Sequence, residues 1–468
     1  MGDRNWDEKR EYRRKRRTRN QVIAYMVLAV FLVISAVAVV VGIGVISEKL
    51  EEKKHTEELA RQLEEIAKEE IRIETPLTEM ETAVEEEIEE VDWLEELVEA
   101  TIDGMVLEDK VAGLFMITPE VLTGIGQVIQ AGEDTRKSLE TCAIGGLIYA
   151  QKNILGQNQL TQMLANVRNM SKYPLFLAVQ EEGGAVRTVG GSRVEVSEVE
   201  DMWKIGEAGD SSKAYDAGFT MGSYLYELGF DMTLAPVADV VAEPEASLIG
   251  KRSFGGAPAL VGEMAASTAA GIQDAGISAC LKHFPDIGAV EKDTHKELVI
   301  MEKTLEELRE TGFEAFRPGI EGGVHCVMVG HLSIPEITGI GVPSSLSEEM
   351  ITNILRGDLG YSGIVMTDAM NVAAITKNYS SAEAAIQALT AGAVMSLMPE
   401  NFQEAYEGVL AAVKEGVITE ERINESLKRI YRVKQRNRLE GELNKKVLHF
   451  SIPDGGFFCQ ADFFSEAF

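Results

Sequence analysis

The chain has 468 residues, and 45 Lys and Arg stand against 76 Asp and Glu, a formal net charge of −31 at pH 7. With 45% hydrophobic and 26% charged residues, the composition is that of a globular protein with a sizeable core, which excludes a wholly disordered chain. The negative charge argues against a nucleic acid partner, because phosphates repel an acidic surface. Four cysteines without a C-x-x-C motif exclude a disulfide scaffold, a zinc ribbon and a thioredoxin-like redox site.

The first 46 residues have the pattern of a membrane anchor. Residues 1–20 carry nine Lys or Arg against four Asp or Glu, and the 25 residues Val22–Ile46 carry no charge. A helix of that length spans about 37 Å, enough to cross a hydrocarbon core of roughly 30 Å. A cleavable signal peptide is the alternative, but its apolar region is normally only about 7–15 residues long. We predict a basic cytoplasmic segment (1–21) and a transmembrane helix (22–46), with the rest of the chain outside the cytoplasm.

The segment that follows is strongly acidic. Residues 47–100 contain 21 Asp or Glu and six Lys or Arg. Its aliphatic residues have helical spacing in places, but they do not sustain a heptad repeat, so a coiled coil finds little support. A charge run of this kind is typical of a solvated spacer. We therefore predict an acidic, partly helical stalk over 47–92.

From about residue 93 onwards, short apolar runs alternate with amphipathic helical patterns. Near-continuous apolar strands separated by helices are typical of a parallel sheet covered by helices. Eight such units fit a (β/α)8 TIM barrel better than an open α/β sheet, and we place this barrel at 93–440. The predicted strands are Gly113–Ile117, Gly145–Ala150, Leu175–Val179, Met232–Val240, Ile277–Leu281, Cys326–Val329, Gly363–Met366 and Val394–Met398. Residues 441–468, with six of the 16 phenylalanines, show little periodicity and are predicted to form a C-terminal tail.

In such a barrel, catalytic groups lie at the C-terminal ends of the strands and on the loops that follow. Asp368 comes directly after the seventh run, where a carboxylate is costly to bury unless it has partners or a function. The alternative is a buried structural acid or a helix N-cap. His283 and His331 follow the fifth and sixth runs, and His295 lies on the loop after the fifth. His325 precedes its strand, so we expect it to pack at the opposite end of the barrel.

Asp293 and His295 form a second candidate group, two residues apart. A carboxylate beside a histidine can fix the imidazole tautomer and raise its basicity. D-x-H triplets are common on surfaces, so the spacing alone is weak. Together with Asp368, however, the pair supplies what a retaining glycosidase needs, a nucleophilic carboxylate and a proton-transfer group. Histidine would then replace the usual second carboxylic acid, and its near-neutral pKa suits proton transfer in both directions.

Several segments resemble one enzyme family. KHFP at 282–285 with DTH at 293–295 resembles the K-H-F-P-G-x-G … D-[ST]-H motif of glycoside hydrolase family 3, and more narrowly its β-N-acetylglucosaminidase (β-N-acetylhexosaminidase) branch. LGYSGIVMTDAMNVAAI at 359–375 resembles the family's nucleophile segment. Four further segments match in the family's order: MVLEDKVAGLFM (105–116), EEGGAVR (181–187), LAPVADV (234–240) and IGKRSFGGAP (249–258).

This resemblance implies a role for individual residues. Asp368 corresponds to the nucleophile, His295 to the general acid/base, and Asp293 to the partner of His295. The predicted substrate-binding residues are Arg252, Lys282, His283, Gln180 and His331. The family implies a carbohydrate substrate and neither a metal nor an organic cofactor.

Three positions depart from the family pattern and bear on sugar specificity. Gln180 stands where the family usually has a hydroxyl-binding Asp, and it lacks the charge-assisted hydrogen bond that a carboxylate forms. A family Arg is displaced, since Arg187 comes one residue early and Thr188 takes its position. The turn Pro285-Asp286-Ile287-Gly288 replaces P-G-H-G. The nucleophile and the acid/base are unaffected.

The sequence therefore predicts a membrane-anchored, retaining exo-β-N-acetylhexosaminidase that acts on cell-wall or other glycan fragments outside the membrane. One alternative is another family 3 activity, a β-glucosidase or a glycosaminide phosphorylase. Another is a catalytically weakened glycan-binding receptor, to which Gln180 and Thr188 point, although all three catalytic candidates are present. The acidic barrel favours a neutral glycan over a polyanionic one. The oligomeric state stays open.

Overall fold

A computed structural model describes residues 92–290 and 292–449, with side chains as far as Asn437. The predicted basic segment, the predicted transmembrane helix over 22–46 and the stalk up to residue 91 lie outside the described residues, as does the tail beyond 449. Within the part that the structure describes, no helix is both long and apolar enough to cross a bilayer.

The described chain is built around an eight-stranded sheet whose neighbouring strands are parallel and follow one another in chain order. The two ends of the sheet meet at a parallel bridge between Met366 and Met395, so the sheet is nearly closed and fits the predicted α/β barrel. Each predicted apolar run overlaps one strand, and the fourth and eighth strands are reduced to two residues each. The strands are β1 (Phe115–Ile117), β2 (Gly146–Tyr149), β3 (Phe176–Val179), β4 (Met232–Thr233), β5 (Ser278–Phe284), β6 (Cys326–Val329), β7 (Ile364–Thr367) and β8 (Ser396–Leu397).

Helices alternate with these strands along the chain. The π-helix Glu349–Asp358 is one of them, and the last helix continues across residue 440 into the predicted tail. The other helices are Trp93–Asp103, Leu107–Ala112, Pro119–Thr123, Glu133–Thr141, Gln157–Met170, Met202–Ala208, Ser211–Leu228, Pro258–Asp274, Leu305–Glu310, Gly312–Glu321, Pro335–Thr338, Ala373–Thr376, Ser381–Ala391, Phe402–Lys414 and Glu420–His449.

Local sequence explains where these elements begin. Thr304 and Ser380 each cap a helix, and each forms a capping box with a glutamate three residues later, Glu307 or Glu383. Such a box satisfies backbone N–H groups that the first helical turn leaves free. All residues of the eight strands are buried, because helices cover the outside of the sheet while side chains fill its interior.

The last helix closes the N-terminal end of the barrel. Lys434, buried on that helix, donates hydrogen bonds from Nζ to the carbonyl oxygens of Gly145 (2.9 Å) and Pro174 (3.0 Å), just before β2 and β3. His325 lies at the same end, with Nδ1 3.1 Å from Ser278 Oγ, and burial lowers its pKa to about 4. Because the strands are parallel, their C-terminal ends all meet at the other end of the barrel, where the candidate site lies.

Candidate active site

Asp368 follows β7 immediately and is partly exposed. Its backbone N–H donates to the Val329 carbonyl at the end of β6 (2.9 Å), and its Oδ1 accepts the N–H of Ala369 at 2.7 Å. Burial by itself raises the pKa of this carboxyl, but His283, the N–H of Ala369 and the Lys282 ammonium outweigh burial and hold the pKa below its usual range. Asp368 is therefore an ionised carboxylate at neutral pH, the state that a nucleophile requires.

His295 lies on the loop after β5, with 66% of its side chain exposed. Its Nδ1 is 3.1 Å from Asp293 Oδ1, and its backbone N–H donates to the same oxygen at 2.9 Å. That N–H lowers the pKa of Asp293, and the Lys296 ammonium adds to the effect against burial. An ionised Asp293 keeps a proton on Nδ1, so Nε2 of His295 is free to give or accept a proton.

Two hydrogen bonds fasten this loop to the segment that follows Asp368. The carbonyl of His295 accepts the N–H of Ala373 at 3.0 Å, and Lys377 Nζ donates to the Lys296 carbonyl at 2.8 Å. The fold thus brings the predicted acid/base loop and the predicted nucleophile to the same end of the barrel.

The carboxylate of Glu182, just after β3, binds three of the predicted substrate-binding residues. Arg252 donates Nε to Oε2 (2.6 Å) and Nη2 to Oε1 (2.8 Å) in a bidentate pair. Lys282 Nζ lies 2.6 Å from Oε1, and the Gln180 amide donates to Oε1 at 2.8 Å. Sequence reasoning matched the EEGGAVR segment but did not single out Glu182. The argument used for Asp368 also applies to Glu182, because Glu182 is a carboxylate that closely follows a buried strand.

The burial of this cluster makes its charges interdependent. The side chains of Glu182 and Lys282 are each 2% exposed, and that of Arg252 is 22% exposed. Burial raises the pKa of Glu182, yet the two cations outweigh burial and hold this pKa far below its usual range. One carboxylate against two cations leaves a net positive charge in the cluster.

Glu182→Gln is expected to destabilise the protein by about 3 kcal/mol, because it leaves two cations in a buried site without a counter-charge. The midpoint of urea unfolding measures the loss. Glu198→Gln is the matched control: Glu198 pairs with Arg187 at 3.4 Å but is 87% exposed, and an exposed pair of this kind contributes at most about 1 kcal/mol. Equal midpoints for the two variants would contradict the central role of Glu182.

His283, on β5, is held by a second carboxylate that sequence reasoning did not name. Its Nδ1 lies 2.7 Å from Asp239 Oδ2, and Asp239 is fully buried. The other oxygen, Oδ1, accepts the N–H of Ile287 at 2.8 Å. Asp239 thereby fixes the tautomer and orientation of His283, leaving Nε2 for a ligand. Asp239 lies in the matched LAPVADV segment. The predicted strand Met232–Val240 placed it inside a strand, whereas β4 ends at Thr233, so the strand-end rule missed it.

His331 was predicted to bind substrate, but its ring is buried. It is 1% exposed, and both ring nitrogens are engaged, Nδ1 with Ser345 Oγ (2.7 Å) and Nε2 with the Ala369 carbonyl (3.0 Å). Burial lowers the pKa of His331, so its neutral ring donates from Nε2 to Ala369. The structure therefore gives His331 a supporting role behind Asp368 rather than the predicted contact with substrate.

Comparisons with known proteins identify the family of this chain. Residues 106–433 match the family model described as the glycosyl hydrolase family 3 N terminal domain. A β-hexosaminidase of Nitrosospira multiformis is 30% identical over 299 residues, which cover 63% of this chain and 83% of the relative.

Solved structures give the same result. A family 3 β-N-acetylglucosaminidase from Paenibacillus sp. str. FPU-7 superposes with a TM-score of 0.67 at 32% identity, covering 76% of this chain and 65% of that one. The β-N-acetylhexosaminidase from Beutenbergia cavernae DSM 12333 gives a TM-score of 0.62 at 26% identity, covering 71% of this chain and 99% of that one. The chain belongs to glycoside hydrolase family 3, within its β-N-acetylglucosaminidase branch.

Proposed function

We propose that this glycoside hydrolase is a retaining exo-β-N-acetylhexosaminidase that removes terminal β-linked N-acetylglucosamine from cell-wall or other glycan fragments. The observation that carries the proposal is the position of Asp368 at the end of β7, next to a loop whose Asp293–His295 pair is hydrogen-bonded to the segment after β7. The activities named for the relatives support the choice of sugar.

In the proposed mechanism, the Asp368 carboxylate attacks the anomeric carbon while protonated His295 donates its Nε2 proton to the departing glycosidic oxygen. The bond between the anomeric carbon and that oxygen breaks, and a glycosyl ester of Asp368 forms. Neutral His295 then takes a proton from water, the water oxygen attacks the anomeric carbon, and Asp368 is released. Two inversions give net retention of configuration. The Asp293 carboxylate stabilises the imidazolium form of His295.

The surrounding residues hold the sugar in one pose. Glu182 fixes the donors of Arg252 and Lys282 before a ligand arrives, and Asp239 does the same for His283. Donors positioned in advance lose little entropy when the substrate binds. The amide nitrogen of Gln180 is engaged by Glu182, so its carbonyl oxygen is the group left to accept a sugar hydroxyl.

The test uses the full chain with aryl β-glycosides of N-acetylglucosamine, glucose and xylose. We expect kcat/KM for the N-acetylglucosaminide to exceed that for the glucoside by about 5- to 30-fold, since removal of one well-placed polar contact costs on the order of 1–2 kcal/mol. ¹H NMR of the first turnovers should show the β-anomer of the released sugar. An α-anomer formed first would contradict the mechanism, and binding without turnover would support the glycan-binding receptor instead.

Glycosaminide phosphorolysis is a second candidate, favoured by the exposed histidine in the acid/base position. An imidazole does not repel an anionic acceptor as a carboxylate would. The same assay in phosphate buffer separates the two: a phosphorylase forms the sugar 1-phosphate and depends on phosphate, whereas a hydrolase gives free sugar at a rate that phosphate leaves unchanged.

We also propose that residues 22–46 anchor the enzyme with its N-terminus in the cytoplasm and its barrel outside. The basic flank and the 25-residue uncharged run support this topology. Cell fractionation with protease treatment of intact cells tests it. We expect the full-length chain in the membrane fraction and its barrel to be accessible from outside. Recovery of the intact chain in the soluble fraction would contradict it.

A further inference from the structure

The turn between β5 and the His295 loop contains a non-glycine residue in a backbone conformation that favours glycine. Asp286 has a φ of 125°, in the left-handed region that glycine adopts at little cost. The family pattern has glycine here, and the side chain of Asp286 is almost fully buried. A non-glycine residue in such a conformation carries strain that its surroundings must offset.

The contacts of Asp286 leave one carboxylate oxygen unsatisfied. Oδ1 accepts the N–H groups of Val240 (3.1 Å) and Gly288 (2.8 Å). Oδ2 is buried and has no hydrogen-bond partner among the described residues, and Lys303 Nζ lies 3.8 Å away. A buried, unpaired carboxylate oxygen is costly as an anion. Oδ2 is therefore the atom on which a proton would reside.

The groups around Asp286 connect it to the proposed sugar site. Two backbone hydrogen bonds join Asp286 and Asp239: Val240, next to Asp239, donates its N–H to Asp286 Oδ1, and Ile287, next to Asp286, donates its N–H to Asp239 Oδ1. Asp239 in turn holds Nδ1 of His283. Lys303, near Oδ2, also donates to Thr311 Oγ1 at 3.3 Å. Behind the turn, the helix Gly312–Glu321 begins with a glycine that packs closely on it. Burial first, and then the charge of Asp239, raise the pKa of Asp286 to about 7.

We propose that Asp286 is a positioning residue that sets the charge of His283 through Asp239. Asp239 holds Nδ1 of His283, and the Asp368 carboxylate also acts on this imidazole. When Oδ2 of Asp286 carries a proton, Asp286 adds no negative charge to these two. When Asp286 loses that proton, a further buried negative charge stabilises the imidazolium form of His283, and the ammonium of Lys303 keeps the ionised pair in place. His283 then remains a charged donor to a higher pH. The consequence for sugar binding rests on the proposed function; the coupling of the two charges does not.

The direct test is a pH titration of the histidines by NMR on the full chain, labelled at histidine Cε1. The chain has six histidines, and His283→Asn assigns the resonance in question. Asp286→Asn keeps the acceptor oxygen but cannot ionise, so the midpoint of the His283 titration should fall by about one pH unit. Asp286→Gly also removes the backbone strain and should lower the His283 midpoint by the same amount. It keeps the test valid if Asp286→Asn does not fold.

Glu120→Gln is the matched control. Glu120 is another carboxylate with a buried oxygen, Oε2, that lacks a hydrogen bond, but it lies on the helix Pro119–Thr123 after β1 and accepts hydrogen bonds from Asn153 and Val128. It should leave the His283 midpoint where it is. Identical His283 midpoints in the wild type and both Asp286 variants would overturn the proposal.

A kinetic readout adds the consequence for the enzyme. For the aryl N-acetylglucosaminide, the ratio of KM in Asp286→Asn to KM in the wild type should rise severalfold between pH 6 and pH 8, with a smaller change in kcat. A ratio that does not vary with pH would show that Asp286 has only a structural role. If the wild type does not turn over this substrate, the proposed function fails, and the NMR titration still decides the role of Asp286.

Discussion

Asp368→Asn is expected to lower kcat on aryl β-N-acetylglucosaminides by about 10⁴-fold or more, since a missing nucleophile has effects of this order. The amide keeps the shape of the carboxylate and an oxygen for the Ala369 N–H, but it cannot form the glycosyl ester. KM should change little, because the residues clustered around Glu182 still bind the sugar. Steady-state kinetics with freshly purified variant measures the loss.

Asp358→Asn is the matched control, since Asp358 is 54% exposed and pairs with Arg309 at the surface. It should keep wild-type kinetics. The low pKa of Asp368 adds a pH signature: the carboxylate stays ionised as the pH falls, so the acidic limb of kcat/KM should lie below about pH 4, the ordinary range of a carboxyl. Turnover by Asp368→Asn within tenfold of the wild type would refute the assignment.

His295→Ala is expected to have the second largest effect, and its size should depend on the leaving group. For an alkyl β-N-acetylglucosaminide, whose leaving oxygen needs a proton, kcat/KM should fall by about 10³-fold. For a dinitrophenyl glycoside the first step needs little protonation, so kcat/KM should fall far less. Hydrolysis of the glycosyl ester of Asp368 then limits turnover. Added azide should restore the rate, because azide attacks the anomeric carbon of this ester without a general base.

Lys292→Ala provides the control on the same loop. Lys292 is 70% exposed and pairs with Glu297 at 3.4 Å, so its loss should leave both substrates unaffected. A loss in His295→Ala that is equal for the two leaving groups, or that azide does not relieve, would assign His295 a structural role. The variant would then point to another residue as the proton donor.

Much of the fold could be predicted because local patterns of apolar residues indicate its strands and helices. Each strand of the barrel is buried on both faces, so each appears as a short apolar run, and helical periodicity fills the intervals. The fourth run was the least accurate, because β4 ends at Thr233. The chain still runs beside β5, which donates N–H groups to the carbonyls of Ala235 and Pro236, so its apolar side chains remain buried without regular strand geometry.

The candidate site was predictable where one strand end presents one reactive group. Asp368 follows β7 directly, and Asp293 and His295 lie two residues apart on one loop, so both candidates could be recognised from the sequence. His331 shows the limit of that rule: it also follows a strand, yet its ring packs between Ser345 and the Ala369 carbonyl. The direction in which a strand-end side chain points depends on the loops that pack over it, which the strand itself does not specify.

The sequence by itself determined the family and the eight-unit barrel and proposed the candidate catalytic residues, since these depend on periodicity and on motifs in a fixed order. Only the tertiary structure decided how the sugar-binding groups are held. Arg252 meets Glu182 across 70 residues of chain, and His283 meets Asp239 across 44. Such pairs join different strand ends, and they form only when barrel closure brings those ends together. Burial then makes each charge depend on its partner, a dependence that no local pattern contains.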